Sequence, residues 1–166
     1  LTADLREKLP GLAIRTTFMA GFSGETETEF EGMLDFVARQ KFEKLGAFAF
    51  SPEPGTKAFN LKRQVAPAVR QKRRDELMHL QKKISYRCNI LRMGETYKVM
   101  VEGSVLKNSA DPFNKCFSYY GRSYAEAPEV DGKIYIKPKE PLIPGEFSNV
   151  KINRAWDYDL GGIIIR

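Results

Sequence analysis

Hydrophobic and polar positions along the 166-residue chain fall into three successive regimes. In the first, LAIRTTFMAGF (12–22) is β-branched and apolar enough for a buried strand, and Gly21 and Gly24 break it. Phe30, Met33, Leu34 and Val37 follow at i, i+3, i+4 and i+7, the spacing of a helix that packs one face on a sheet. Thr26 with Glu29 reads as a capping box, and Glu25, Glu27, Glu29 and Glu31 bring negative charge to the helix start, where the dipole favours it. KLGAFAFS (44–51) is a second apolar strand, closed by the prolines and glycine of SPEPGT (51–56). Strand, helix and strand make a βαβ unit with parallel, adjacent strands. One such unit cannot cover both faces of a parallel sheet, so the sheet is expected to continue before Leu1.

The second regime, 66–94, is a long basic helix with Pro67 in its first turn and Gly94 after its end. Leu77, Leu80, Ile84, Cys88 and Leu91 advance by threes and fours, which predicts one apolar stripe. The third regime alternates with period two. ETYKVMVEG (95–103), FSYYGRSYAE (117–126), GKIYIK (132–137) and FSNVKINRAWDYDLGGIIIR (147–166) read as short antiparallel strands, with LIPGEF (142–147) as a turn. About 70 such residues suggest a small barrel of the OB type, an architecture that binds nucleic acid in some proteins and peptide in others. The predicted boundaries are therefore 1–64, 65–94 and 95–166.

Charge sharpens this division. The formal net charge is +6, and residues 62–92 hold 10 basic and 2 acidic groups, against 7 and 9 before them and 10 and 10 after. The basic helix reads either as a phosphate-tracking face or as a solvated connector. Balanced charge in the last regime argues against a strong electrostatic footprint for RNA there. No apolar run approaches the roughly 20 residues a bilayer requires, and no signal-peptide pattern opens the chain, so a cytoplasmic location without membrane contact is expected.

Candidate chemistry is sparse. Cys88 and Cys116 have neither disulfide-framework nor metal-knuckle spacing and read as two reduced, semi-buried thiols. His79, the single histidine, has no carboxylate or thiol at ligand spacing and reads as structural or exposed. In parallel β/α folds function gathers at the C-terminal strand ends, here 21–25 and 51–56. Spacing alone leaves GFSGE open as a plain strand-to-helix turn or a ligand contact.

FMAGFSGETETEF and AFSPEPGTKAF resemble successive barrel strands of the radical S-adenosylmethionine methylthiotransferases, and a basic helix and a TRAM barrel follow in that family's order. GRSYAEAPEVDGKIYI (121–136) and EFSNVKINRAWDYDLGG are similar to the TRAM domain of the branch that modifies an aspartate of a small-subunit ribosomal protein; the tRNA-modifying branch has a shorter segment after GR. The resemblance implies an α+β multi-domain fold: the last βαβ unit of a partial radical-SAM parallel β/α barrel, a connecting helix, and an OB-like antiparallel TRAM barrel. It implies S-adenosylmethionine and two four-iron four-sulfur clusters, with radical transfer of a methylthio group to an unactivated carbon. The cluster-binding CxxxCxxC is not in this chain, which alone is expected to be inactive.

By the same resemblance, Gly21, Phe22, Ser23, Gly24 and Glu25 with Phe50 and Ser51 would line the cofactor end, offering backbone groups and a snug wall. Ser23 stands where the family has proline, which is expected to loosen the turn. The hairpin would hold a loop of the ribosomal protein. Tyr120 and Tyr124 would supply contact area, Arg122 would pair with a carboxylate or a backbone oxygen, and Glu126, Glu129 and Asp131 would attract a basic partner. Trp156 reads as core or packing before stacking platform. The alternative is a tRNA-modifying relative or a stand-alone RNA-binding module. Oligomeric state is open, as is whether unpaired sheet edges lead strands to swap between copies.

Overall fold

The computed structural model describes residues 1–105 and 116–165; Arg166, the last residue of the expected closing strands, lies outside them. The chain divides into two compact units, Leu1–Ile84 and Ser85–Arg166. That division falls inside a helix which the sequence suggested as a separate connector.

The first unit holds the expected βαβ. β1 (Arg15–Ala20) and β2 (Lys44–Ala49) pair in parallel register from Arg15↔Lys44 to Ala20↔Ala49. α2 (Glu27–Gln40) crosses between them, capped by the predicted box: the Glu29 amide donates to Thr26 Oγ1, and Thr26 N donates to the Glu29 carboxylate at 2.7 Å. Those Thr26 hydrogen bonds hold the Glu29 pKa below its ordinary value, backbone bond first. Phe30 and Val37 of the apolar stripe are buried, and Phe18 on β1 meets the rings of Phe36 and Phe42 at 6.3 and 6.1 Å. A short helix the periodicity did not announce, α1 (Thr2–Lys8), is tied down by Arg6, which donates to Gln40 O at 2.6 Å and pairs with Glu43 at 3.0 Å.

α3 (Pro67–Leu91) starts at the expected proline, but its buried side is not the expected stripe. Leu77 and Ile84 are buried, whereas Leu80 and Cys88 are half-buried and Leu91 is 82% exposed. Arg70, Arg73, Gln81, Ser85 and Asn89 take the remaining buried positions. Each of the longer ones reaches a carbonyl or carboxylate; Gln81 Nε2, for instance, donates to Phe42 O at 2.9 Å. Buried polar groups are tolerated when they are hydrogen-bonded in this way. His79 is exposed, and of the two thiols Cys88 is half-buried while Cys116 is exposed rather than semi-buried.

The second unit is a closed five-stranded barrel, β3-β4-β5-β7-β6, from β3 (Thr96–Ser104), β4 (Tyr119–Arg122), β5 (Ile134–Lys137), β6 (Phe147–Ala155) and β7 (Leu160–Ile164). Its pairs are antiparallel except β5 with β7, the closure expected of an OB-like barrel. Alternation sends Val99, Val101, Ile134, Ile136, Val150, Ile152 and Leu160 inward as one core. Each of these side chains, at 2% exposure or less, contributes about 1.5–3 kcal/mol by leaving water. Irregularities between Val101 and Gly103 and between Ile152 and Arg154 supply the local bending that barrel closure needs. A second cluster of Val105, Phe117 and Tyr135, with Tyr120 and Trp156 against it, covers Gly161, so Trp156 is a packing residue.

Candidate functional site

At the end of β1 the chain turns sharply into α2. Gly21 has φ +77°, and a Cβ there would lie 2.5 Å from Arg70 Cγ, so only glycine lets β1 approach α3 so closely. The Gly21 amide donates to both Glu25 carboxylate oxygens, at 2.9 and 3.0 Å. Arg73 Nη1 donates to Glu25 Oε1 at 2.7 Å and to Glu25 O at 3.1 Å, and its Nη2 pairs with Glu27 at 2.7 Å. Burial opposes the Arg73 charge, but the Glu27 and Glu25 hydrogen bonds outweigh it and raise its pKa.

The end of β2 is held by the same helix. Arg70 donates from Nη1 to Phe50 O at 3.0 Å and from Nε to Val65 O at 2.6 Å. Phe50 meets the Phe22 ring edge-on at 4.9 Å, and Phe22 remains 43% exposed. Ser51 turns its hydroxyl to Glu53 at 3.1 Å.

A segment without any sequence signal, 61–65, lies over this turn. Gly24 N donates to Arg63 O at 2.9 Å, Arg63 Nη2 donates back to Gly24 O at 3.2 Å, and Ser23 Oγ donates to Lys62 O at 2.7 Å. Ser23 thus tethers the turn where it was expected to loosen it, because a hydroxyl supplies the donor that proline lacks. Phe22, Ser23, Gly24 and Glu25 share a concavity of about 520 Å³ with Glu29, Leu61, Lys62 and Arg63. Several backbone groups expected to face a cofactor, namely Gly21 N, Gly24 N and Phe50 O, are already bonded within the chain. What these strand ends present is a shaped, partly aromatic wall.

The barrel's hairpin is equally built from within. β4 ends at Arg122 rather than running to 126, because Ser123 turns back on Glu126: Ser123 N and Oγ donate to Glu126 Oε2 at 3.0 and 2.6 Å. Glu126, expected to face a basic partner, has a side chain only 3% exposed and pairs with Arg92 at 2.5 Å. Arg92 lies over the Tyr97 ring at 4.4 Å and donates to Ser123 Oγ at 3.2 Å. Desolvation disfavours its charge, but the Glu126 carboxylate more than compensates and raises its pKa.

Asp131 also serves the loop, accepting from Ala127 N at 2.7 Å. Glu129, at φ +62°, is exposed, as is Tyr124 at 71%. Arg122 pairs with Glu102 at 2.6 Å. It joins Tyr124 in lining a concavity of about 460 Å³ that also includes Tyr97, Lys98, Met100 and Phe147. Tyr120 is apart from these, half-buried under Lys133, whose Nζ sits 4.1 Å from the ring centre. Among the described residues no group of three His, Cys, Asp or Glu side chains is placed to hold a metal ion. No helix of the described residues is long and apolar enough to cross a membrane.

A TRAM domain family model matches residues 93–165, the barrel with its hairpin. The similarity to curated proteins extends across both units. The chain is 43% identical over 154 residues to the ribosomal protein uS12 methylthiotransferase RimO of Caldanaerobacter subterraneus, covering 93% of this chain and 33% of that protein. For the RimO proteins of Acetivibrio thermocellus and Pelotomaculum thermopropionicum the values are 44% and 43% identity, over 97% and 98% of this chain and 34% and 35% of theirs. The chain belongs to the RimO family. It is a C-terminal RimO portion, about a third of the length of the curated relatives it matches.

Proposed function

We propose that this RimO chain supplies the cofactor-edge and substrate-docking end of a methylthiotransferase acting on an aspartate of ribosomal protein uS12. The observation that carries the reading is the co-occurrence, within one stretch similar to RimO proteins, of a clamped strand-end wall and a TRAM barrel with a preorganised hairpin. The wall suits the nucleoside half of S-adenosylmethionine: Phe22 offers a half-exposed ring beside Phe50, and the tethered turn 21–25 supplies a rigid edge. When bound, S-adenosylmethionine and the iron–sulfur clusters supply the radical and sulfur-transfer chemistry. The CxxxCxxC ligands lie outside this chain, which by itself is inactive on this reading. The residues present here bind, orient and exclude water, and none is assigned a proton transfer.

On the barrel, Tyr124 and Arg122, which line one concavity, and Glu129, exposed on the same hairpin, form the docking surface. Glu126 and Asp131 act one step behind it by shaping the loop. An exposed acid and an exposed aromatic ring on one hairpin favour a basic protein over a phosphate backbone. Titrating the full-length protein with uS12 and with tRNA tests this assignment. Saturable uS12 binding that weakens on Tyr124→Ala, by about 10-fold or more for a hot-spot aromatic, is the expected result. Tight, steeply salt-dependent tRNA binding with no response to uS12 would favour an RNA substrate instead.

A further inference from the structure

We infer that Arg70 and Arg73 are positioning residues for the cofactor wall: the basic helix α3 acts through them to set where Phe22 and the turn 21–25 stand. This rests on the reading of that wall given above. Of the ten basic groups in 62–92, these two are the ones the fold buries beside the strand ends, at 8% and 6% exposure. Between them they grip both strands. Arg73 holds the β1 end through Glu25, whose carboxylate in turn accepts from Gly21 N, so strand, turn and helix form one chain of charge-assisted bonds. Arg70 holds the β2 end at Phe50 O, and its side-chain carbons fill the space left by the missing Cβ of Gly21.

Stability alone is a poor account of this arrangement. Well-packed apolar residues commonly replace buried ion pairs without loss, whereas a planar, five-donor guanidinium fixes the direction of several acceptors at once. Arg73 bridges two carboxylates and a carbonyl, lies 5.2 Å from the centre of the Phe30 ring, and leaves its buried Nε without a partner among the described residues. That is an expensive way to pack a helix and an effective way to aim a turn. A cofactor wall needs such aim, because misplacement by about 1 Å can cost about 100-fold in function.

The test measures the affinity of the full-length protein for S-adenosylhomocysteine by calorimetry, alongside its melting temperature. Wild type comes first: if it does not bind this probe, the cofactor-wall reading itself fails. If it binds, Arg73→Gln should weaken binding by up to about 100-fold in protein that remains folded. Arg73→Lys, which keeps the charge but not the fork, should be intermediate. Glu27→Gln, at a side chain 70% exposed, should cost only a few-fold because it removes one arm of the clamp. A merely structural role would lower the melting temperature and leave the affinity of the folded protein unchanged. Wild-type affinity in folded Arg73→Gln overturns the inference, and if that variant does not fold, wild-type affinity in both Arg73→Lys and Glu27→Gln overturns it.

Discussion

Arg92→Met should destabilise the chain by about 3–5 kcal/mol in a denaturant titration, because it strands the Glu126 carboxylate inside the barrel unit without its cation. Ser123 would still donate to Glu126 Oε2, but the oxygen facing Arg92, Oε1, would lose its 2.5 Å partner. The cost should come mostly from the orphaned charge rather than from the pair's own attraction. The double variant Arg92→Met, Glu126→Leu should therefore recover most of the loss, since removing both members of a buried pair is often close to neutral. Recovery of stability should not restore the hairpin's shape. With Glu126 gone, Ser123 N loses its acceptor and the turn carrying Tyr124 loosens. A single-variant cost below about 1 kcal/mol, the range of exposed pairs, would show that Arg92 and Glu126 are solvated.

Gly121→Ala should cost about 3 kcal/mol or more, through overpacking. The new Cβ would stand 2.1 Å from Met100 O and 2.9 Å from Val99 Cγ1, and the nearer atom belongs to a strand backbone that cannot rotate away. Gly121 pairs with Val101 on β3 and Ile134 on β5, so relief requires opening the barrel at the root of the hairpin. Gly32→Ala is the matched control. Gly32 lies within α2 with nothing within 4 Å of its added Cβ, and the change should stabilise the helix by about 0.5–1 kcal/mol. Equal effects at the two glycines would contradict the barrel's packing as described.

Local signals account for what could be read in advance. The Thr26 and Glu29 box, the stripe through Phe30 and Val37, and the alternation of Val99, Val101, Val150 and Ile152 are each short-range consequences of residue type, and the elements appear where those patterns lie. The strand ends at Gly21 and Phe50 were legible for the same reason. α3 was legible as a helix but not in its contacts. Apolar periodicity assigns Leu91 to the interior and arginines to solvent, yet Leu91 is exposed while Arg70 and Arg73 are buried. The missing information was non-local: the acceptors that make those burials tolerable, Phe50 O and the Glu25 carboxylate, lie 20 and 48 residues away.

The hairpin fell between these cases. Its strands and long polar turn follow from sequence, whereas the inward role of Glu126 depends on Arg92, 34 residues earlier. Glu126, Glu129 and Asp131 look alike as an acidic run, and only the fold separates the exposed Glu129 from the two that shape the loop. The segment 61–65 carried no periodic signal, since most of its contacts run through backbone oxygens of Lys62, Arg63 and Val65 that any residue would provide, and only the Arg63 guanidinium, on Gly24 O, depends on residue type.

The most direct measurement is the mass of uS12, and of tRNA nucleosides, from cells with and without the gene for this RimO chain. Removing the gene should abolish one methylthio increment on a uS12 aspartate and leave tRNA methylthio nucleosides unchanged, as the proposed uS12 activity requires. Unmodified uS12 in both cells, or loss of the tRNA modification instead, would contradict it.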